Sequence, residues 1–377
     1  MKKQGIKILV TGDFCPLNRV EKLIEEGDYS AIFNDLLPMI KKSDLAITNL
    51  ECPIAIEGVK IKKTGPHLKA SGKAIEALTF AGFNLVTLAN NHIMDYGVAG
   101  LNSTIEACKN SGIDCVGVGS NLQEARTPFY YEINGIRLAI INFCENEWAT
   151  TSGKTPGANP LNPVANYYDI KEAKGKAHHV IIIVHGGHEH YSLPSPRMQE
   201  TYRFFIDAGA SAVIGHHPHC FSGYEIYRGA PIFYSLGNFT FDLDNKQRTS
   251  WNMGYAVQLE VVEEGLSFSL QPYSQGDSQP GIRLLKAPEK EKIEKEISML
   301  NDILRNEISL KQEFDTFTLK NKVIFESFIE PFNFRPLSIL YARNLIPSFL
   351  TTKKRNLLLN IVRCEAHRDL LIKILNN

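Results

Sequence analysis

Eight of the eleven histidines in this chain fall between His178 and His219. They form two packets, His185-Gly186-Gly187-His188-Glu189-His190 and Gly215-His216-His217-Pro218-His219. Neutral imidazole is the commonest protein ligand for transition metals, so such packets point first to metal chemistry. His217 and His219 flank a single proline. That spacing directs two imidazoles to a common side of a rigid extended segment, where they can serve one metal or a metal pair. His185 directly follows an apolar run and is a third candidate ligand. His178 and His179 precede that run and read as solvated helix-end residues. His188, His190 and His216 stay open, because histidine-rich loops carry bystanders, and His67 and His367 give no signal.

Oxygen donors come from the histidine-poor half. Asp13 closely follows the first apolar run, and alone it is as much a turn aspartate as a ligand. Asn49 and Glu51 flank Leu50 at strand spacing, so both polar groups point one way while Leu50 points into the core. Asn90-Asn91-His92, with Asp95, follows a further run. An asparagine carbonyl is a hard ligand, and an adjacent histidine can act as general acid or as ligand. Taken alone, His92 reads more readily as a hydrogen-bonded loop residue. Mixed Asp, Glu, Asn and His without Cys suits one or two Mn, Fe or Zn ions in five- or six-coordinate sites, rather than a structural zinc. A metal pair about 3.5–4 Å apart can clamp a phosphoryl group and activate water.

Strands must carry these groups. Apolar runs recur at 6–11, 45–50, 85–89, 115–118, 138–143, 180–184, 212–214 and 232–235. Helical patterns lie between several of them, at 19–25, 72–81, 100–111 and 196–208, three of these ended by glycine. Strands alternating with glycine-ended helices predict βαβ units. Continuously apolar runs predict a sheet covered on both faces. Asn134-Gly135 predicts an antiparallel hairpin. In an α/β sheet the strand ends converge, so residues distant in sequence can meet at one edge. The 150–166 segment, rich in Gly, Pro, Ser, Thr and Asn, predicts a long surface loop near the site. A charged, glycine-free helical pattern begins near 289. It places a boundary near 280, with 1–280 as the main domain and 281–377 as a helical appendage.

The bulk properties narrow the function classes. Lys plus Arg and Asp plus Glu both number 41, so nothing in the total charge points to nucleic acid. Seven cysteines without CxxC pairs argue against a disulfide framework and against a zinc-thiolate site. No stretch is long and apolar enough for a transmembrane helix or a signal-peptide core, which predicts a cytoplasmic protein. The basic segment 351–373 has two readings: a helix packed on its own unit with the basic face in water, which is favoured, or a peripheral membrane or protein contact.

The motifs together resemble the CapA family, the capsule or poly-γ-glutamate synthesis proteins related to calcineurin-like metallophosphatases. The matching text is GD (12–13), NLECPI (49–54), LANNHIMDYG (88–97), GVGSNLQEA (117–125), VHGGHE (184–189), DAGASAVIGHHPH (207–219) and YSLGNF (234–239). The resemblance implies a four-layer α/β/β/α sandwich with the site at strand ends. It implies metal ligation by Asp13, Glu51, Asn91, His185, His217 and His219. It also implies that His92 is the leaving-group acid and Asp95 its orienting partner. Asn49, Glu189, Ser235 and Asn238 are candidate substrate contacts. Cys15 stands where the wider pattern has a histidine, Glu51 where it has an aspartate, and the His-Trp-Gly-x-Glu motif reads His185-Gly186-Gly187-His188-Glu189 here. The expectation is a metal-dependent hydrolase of a phosphoester or related anionic small molecule or polymer. The alternative is a non-catalytic accessory role in anionic capsule polymer assembly. Specificity is expected from the loops 58–69 and 150–166. Lys62, Lys63 and Lys69 of the first loop read as ordinary surface lysines, with anion binding as the second reading.

Overall fold

The computed structural model describes residues 5–55, 58–243, 249–330, 334–343 and 345–363, with isolated positions beyond. Its strands, in chain order, begin with β1 (Ile6–Phe14), β2 (Leu45–Leu50), β3 (Leu85–Thr87), β4 (Asp114–Val116) and β5 (Val118–Gly119). Then come β6 (Phe129–Ile133), β7 (Ile136–Cys144), β8 (Gly157–Ala158), β9 (His179–His185), β10 (Ala212–His216), β11 (Tyr224–Tyr227) and β12 (Ala230–Phe233). The last are β13 (Asn238–Thr240), β14 (Met253–Val262), β15 (Gly265–Ser274) and β16 (Arg283–Leu284).

Two large sheets result. One has the order β16-β15-β14-β1-β2-β3-β4, with β13 also paired to β1, and the other has the order β11-β12-β10-β9-β7-β6. The expected hairpin joins β6 to β7 antiparallel, with Asn134 and Gly135 both at positive φ, as its tight turn requires. Ile6, Ile8, Val10, Ile47, Ile140, Ile181, Ile183 and Ile214 fill the space between the sheets. Helices Arg19–Glu26, Lys73–Ala81 and Gly97–Asn110 cover the outside of the first sheet through Val20, Ile24, Ala74, Leu78 and Leu101. Helices Pro163–Lys176 and Pro196–Ala208 cover the second through Ile170, Met198, Tyr202 and Phe205. The layers therefore run α/β/β/α. That explains the uninterrupted apolar runs, since every central strand is buried on both faces.

Register aligns the polar strand ends. In the first sheet Asp13 pairs with Asn49 on one side and Asn238 on the other, and Asn49 pairs with Thr87. In the second sheet His185 pairs with His216. A close backbone approach fixes this edge. A Cβ on Gly12 would lie 1.9 Å from the Gly237 carbonyl oxygen. Backbone cannot rotate aside, so Gly12→Ala is expected to cost about 3 kcal/mol or more. Urea unfolding measures this, and a loss under about 1 kcal/mol would show that the strands separate freely there.

Three expectations are corrected. The 150–166 segment is not a surface loop: β8 pairs with β5, Ala158 and Asn159 are buried, and Asn162 caps the next helix. His179 is not solvated. It begins β9, and its Nε2 donates to the Val262 carbonyl at 2.7 Å. The first compact unit extends to Lys311, well past 280, because Ile293 and Ile297 of helix Glu289–Leu304 join the core between the sheets.

The second unit, Gln312–Asn377, includes helices Arg335–Ala342 and Thr352–Arg363. Within it Arg355 pairs with Glu326, and Glu330 accepts from the Phe349 backbone N–H at 3.0 Å. Lys353 and Lys354 are exposed. No helix among the described residues is long and apolar enough to cross a membrane.

Candidate metal centre

The strand ends of both sheets meet at one buried cluster. Asp13 is the penultimate residue of β1, and Glu51 follows β2 on the same side, as strand alternation requires. The segment after β3 brings Asn90, Asn91 and His92. His185 ends β9, and His216, His217 and His219 end or follow β10. Two groups of potential ligands result, Asp13 with Glu51 and His219, and Glu51 with His185 and His217. Within each, the donor atoms lie no more than 4.8 Å apart. Glu51 is common to both.

The distances describe each half. Around Nε2 of His185 stand Asn91 Oδ1 at 3.1 Å, His217 Nδ1 at 3.1 Å and Glu51 Oε1 at 3.5 Å. In the other half, His219 Nε2 lies 3.6 Å from Glu51 Oε1, and its Nδ1 lies 3.7 Å from Asp13 Oδ2. Asn238 Oδ1 accepts from His219 Nδ1 at 2.9 Å, which leaves Nε2 with a lone pair facing Glu51. Asp13 is well satisfied: Asn49 Nδ2 donates to it at 2.7 Å, His216 Nδ1 at 3.1 Å and the His217 backbone N–H at 3.3 Å.

Glu51 is the exception. It is fully buried, and neither carboxylate oxygen has a hydrogen-bond partner among the described residues. Burial, then the charges of Asp13 and Glu189, pushes its carboxyl well above the usual range. Asp13 moves the opposite way. Burial raises it, but the hydrogen bond and charge of His216, with His185 and His219, outweigh burial and hold it below that range. Burial, aided by His217, holds His185 well below an ordinary histidine, and burial brings His219 down to about 4. Both imidazoles are therefore neutral near pH 7, as metal ligation requires. An orphaned carboxylate beside neutral imidazoles and an amide carbonyl is a donor set that fits a divalent cation.

A family model described as bacterial capsule synthesis protein PGA_cap matches residues 7–243. This chain belongs to the PGA_cap family. The capsule biosynthesis protein CapA of Bacillus anthracis is 33% identical over 250 residues, covering 64% of this chain and 61% of that relative. The PGA biosynthesis protein CapA of Bacillus subtilis (strain 168) is 34% identical over 235 residues, covering 61% and 62%. A probable polyglutamine synthesis accessory protein of Mycobacterium tuberculosis (strain CDC 1551 / Oshkosh) is 28% identical over 216 residues, covering 54% and 57%. The matches thus span about three-fifths of the two Bacillus relatives.

In this PGA_cap chain the motif residues occupy distinct positions. His92 Nδ1 lies 2.7 Å from Asp95 Oδ2, beside the cluster. Asn49, Ser235 and Asn238 are buried with their polar atoms engaged, so they hold neighbouring groups and are not free to meet a substrate. Asn49 bonds Asp13, Ser235 donates to the Cys220 carbonyl, and Asn238 binds His219 and the Trp251 carbonyl. Glu189 is exposed. Cys15 lies outside both ligand groups, buried beside Cys52; burial and that thiol contact push it up.

His217-Pro218-His219 is not an extended segment. Both histidines adopt positive φ, 98° and 57°, a costly conformation for residues with side chains. This turn sends His217 to one ligand group and His219 to the other.

Three contributors are not evident from the sequence. His216 hydrogen-bonds Asp13, and its buried Nε2 has no partner among the described residues. Glu147 lies 4.0 Å from His217 Nε2. Lys63 is drawn into the His92–Asp95 pair.

Proposed function

We propose that this chain is a metal-dependent hydrolase acting on a phosphoester or related anionic substrate, in the metabolism of a capsule or poly-γ-glutamate polymer. One observation carries the reading: Glu51 is fully buried, neither oxygen has a hydrogen-bond partner among the described residues, and it is common to two ligand groups. Asp13, Glu51 and His219 would hold one ion. Glu51, His185 and His217, with Asn91 alongside, would hold the other. Bound Mn, Fe or Zn supplies Lewis acidity and an activated water, which serves ester cleavage and equally amide cleavage in a γ-glutamyl polymer.

The chain's own residues supply the remainder. Asp95 accepts from Nδ1 of His92 and orients the ring, so that Nε2 can deliver a proton to the leaving oxygen. Asn49 braces both Asp13 and His185, standing 3.2 Å from Nδ1 of the latter. Glu189 is the exposed candidate for contact with a substrate.

The names of the relatives favour a second reading, an accessory role in assembling an anionic polymer, with the metal site gripping carboxylates. One assay separates the two. With Mn²⁺ added, the purified protein is expected to cleave generic phosphodiesters or phosphomonoesters. The Asn91→Ala/His92→Ala double variant is expected to lose about 10²-fold or more. Calorimetric metal binding without turnover on any ester or on poly-γ-glutamate would sink the hydrolase reading and leave the accessory one.

A further inference from the structure

Three lysines of the 58–69 loop end in different surroundings. Lys62 is exposed, and the Lys69 ammonium lies 5.3 Å from the centre of the Tyr96 ring. Lys63 turns inward: its side chain is only 3% exposed. Its ammonium pairs with Oδ1 of Asp95 and stands 3.2 Å from Nδ1 of His92. Lysine is almost never buried this deeply without a paired charge, and freezing its long side chain costs rotamer entropy.

Asp95, fully buried, divides its contacts. Oδ1 faces Lys63, while Oδ2 accepts from His92 Nδ1 and from the Leu68 backbone N–H, both at 2.7 Å. The Ile61 backbone N–H donates to the Asp95 carbonyl at 3.1 Å. Residues 61–68 therefore wrap around Asp95 and deliver Lys63 to it. A carboxylate oxygen can only accept, so Nδ1 of His92 carries the ring proton toward Oδ2, and the Lys63 ammonium beside it meets Oδ1 as an ion pair, not an aligned hydrogen bond.

We propose that Lys63 is a positioning residue: by engaging Oδ1 it fixes the plane of the Asp95 carboxylate, and so holds His92 in the orientation from which Nε2 serves a leaving oxygen. This rests on reading His92 as the leaving-group acid. Without the ammonium the carboxylate loses the cation facing Oδ1, and the imidazole it holds becomes free to swing. The loop supplies no residue to either ligand group, so this effect is separate from metal binding.

Leaving groups provide the test. An alkyl phosphoester needs a proton on its leaving oxygen, whereas a nitrophenyl ester does not. Lys63→Met is expected to lower kcat on the alkyl ester about tenfold or more while changing the nitrophenyl ester by less than about twofold, with KM unmoved. Lys63→Arg should recover most of the loss. Lys63→Gln, which keeps a donor without the charge, serves the same comparison if the Met variant misfolds. A second measurement needs no turnover: in ¹⁵N-imidazole NMR spectra, the His92 Nδ1–H signal should be sharp in the wild type and Lys63→Arg, and broadened in Lys63→Met. Equal losses on both esters, or an unchanged ring signal, would overturn the positioning role. A wild type inactive on every ester would instead sink the phosphoester reading, and the ring signal would still decide for or against Lys63.

Discussion

Glu51→Gln should abolish metal-dependent turnover while leaving the metal-free protein at least as stable as the wild type. Losing a residue that merely hydrogen-bonds to a ligand typically weakens metal binding by about 10–100-fold. Losing the carboxylate common to two ligand groups should exceed that range. It should lower kcat/KM by about 10³ or more, on the order of 4 kcal/mol of transition-state stabilisation. The stability half follows from the orphaned oxygens, since an amide removes the cost of a buried, unpaired charge. The folded-state carboxyl is raised above its unfolded value, so its favourable contribution is complete below about pH 4.5 and is lost as pH rises through the folded pKa. The stability advantage of the glutamine variant over the metal-free wild type should therefore widen with pH, and added metal should reverse it. Urea unfolding with and without chelator, from pH 5 to 8, measures both halves. A glutamine variant less stable than the metal-free wild type throughout that range would show that Glu51 is satisfied without an ion.

Asp13→Ala should behave oppositely, although the two carboxylates stand at the same edge. Asp13 accepts from Asn49, His216 and the His217 backbone, all buried. Removing one partner of a buried hydrogen-bonded charge typically costs about 3–5 kcal/mol, and that loss should appear here even without metal. Its carboxyl is depressed in the fold, so the stabilisation is present above the unfolded value near 4 and is lost only as pH falls through the folded one. Chelator-treated Asp13→Ala should therefore unfold at much lower urea than chelator-treated wild type at pH 7. Equal midpoints would show that Asp13 is held for an ion alone and contributes nothing to the apo-fold.

These two residues also illustrate what a sequence discloses. Asp13, Glu51, Asn91, His185, His217 and His219 each end or closely follow an apolar run, and parallel register carries such ends to one edge. Their convergence was therefore legible. So was a sheet covered on both faces, because runs such as 180–184 have no polar face, while the four-layer sandwich came from the family resemblance. The helix at 289–304 was readable in principle: Ile293, Ile297, Leu300 and Leu304 recur on one face, a stripe that belongs in a core. Its dense charge lies on the outer face.

Other features leave no local trace. Lys63 looks like its neighbours Lys62 and Lys69 until the path of the loop is known. The left-handed turns at His217 and His219 contradict the ordinary preference of non-glycine residues, so a proline between two histidines reads as extended when it is not. Ser235 and Asn238 sit in a recognisable motif, but whether a polar side chain faces solvent or a neighbouring residue depends on packing from distant segments.

Each ligand group draws on both sheets: carboxylates from β1 and the segment after β2, imidazoles from β9 and the turn after β10. An ion held there is a rivet through two layers that otherwise meet mainly through greasy side chains, which can slide. Hydrogen bonds from His216 and His217 to Asp13 already join the two sheets at this edge, an ion would tighten that junction, and starving the protein of metal should loosen that edge first. Amide exchange at the ends of β1 and β10 would register scarcity of the ion before the rest of the sandwich responds, making the mechanical state of this protein a reading of its metal supply.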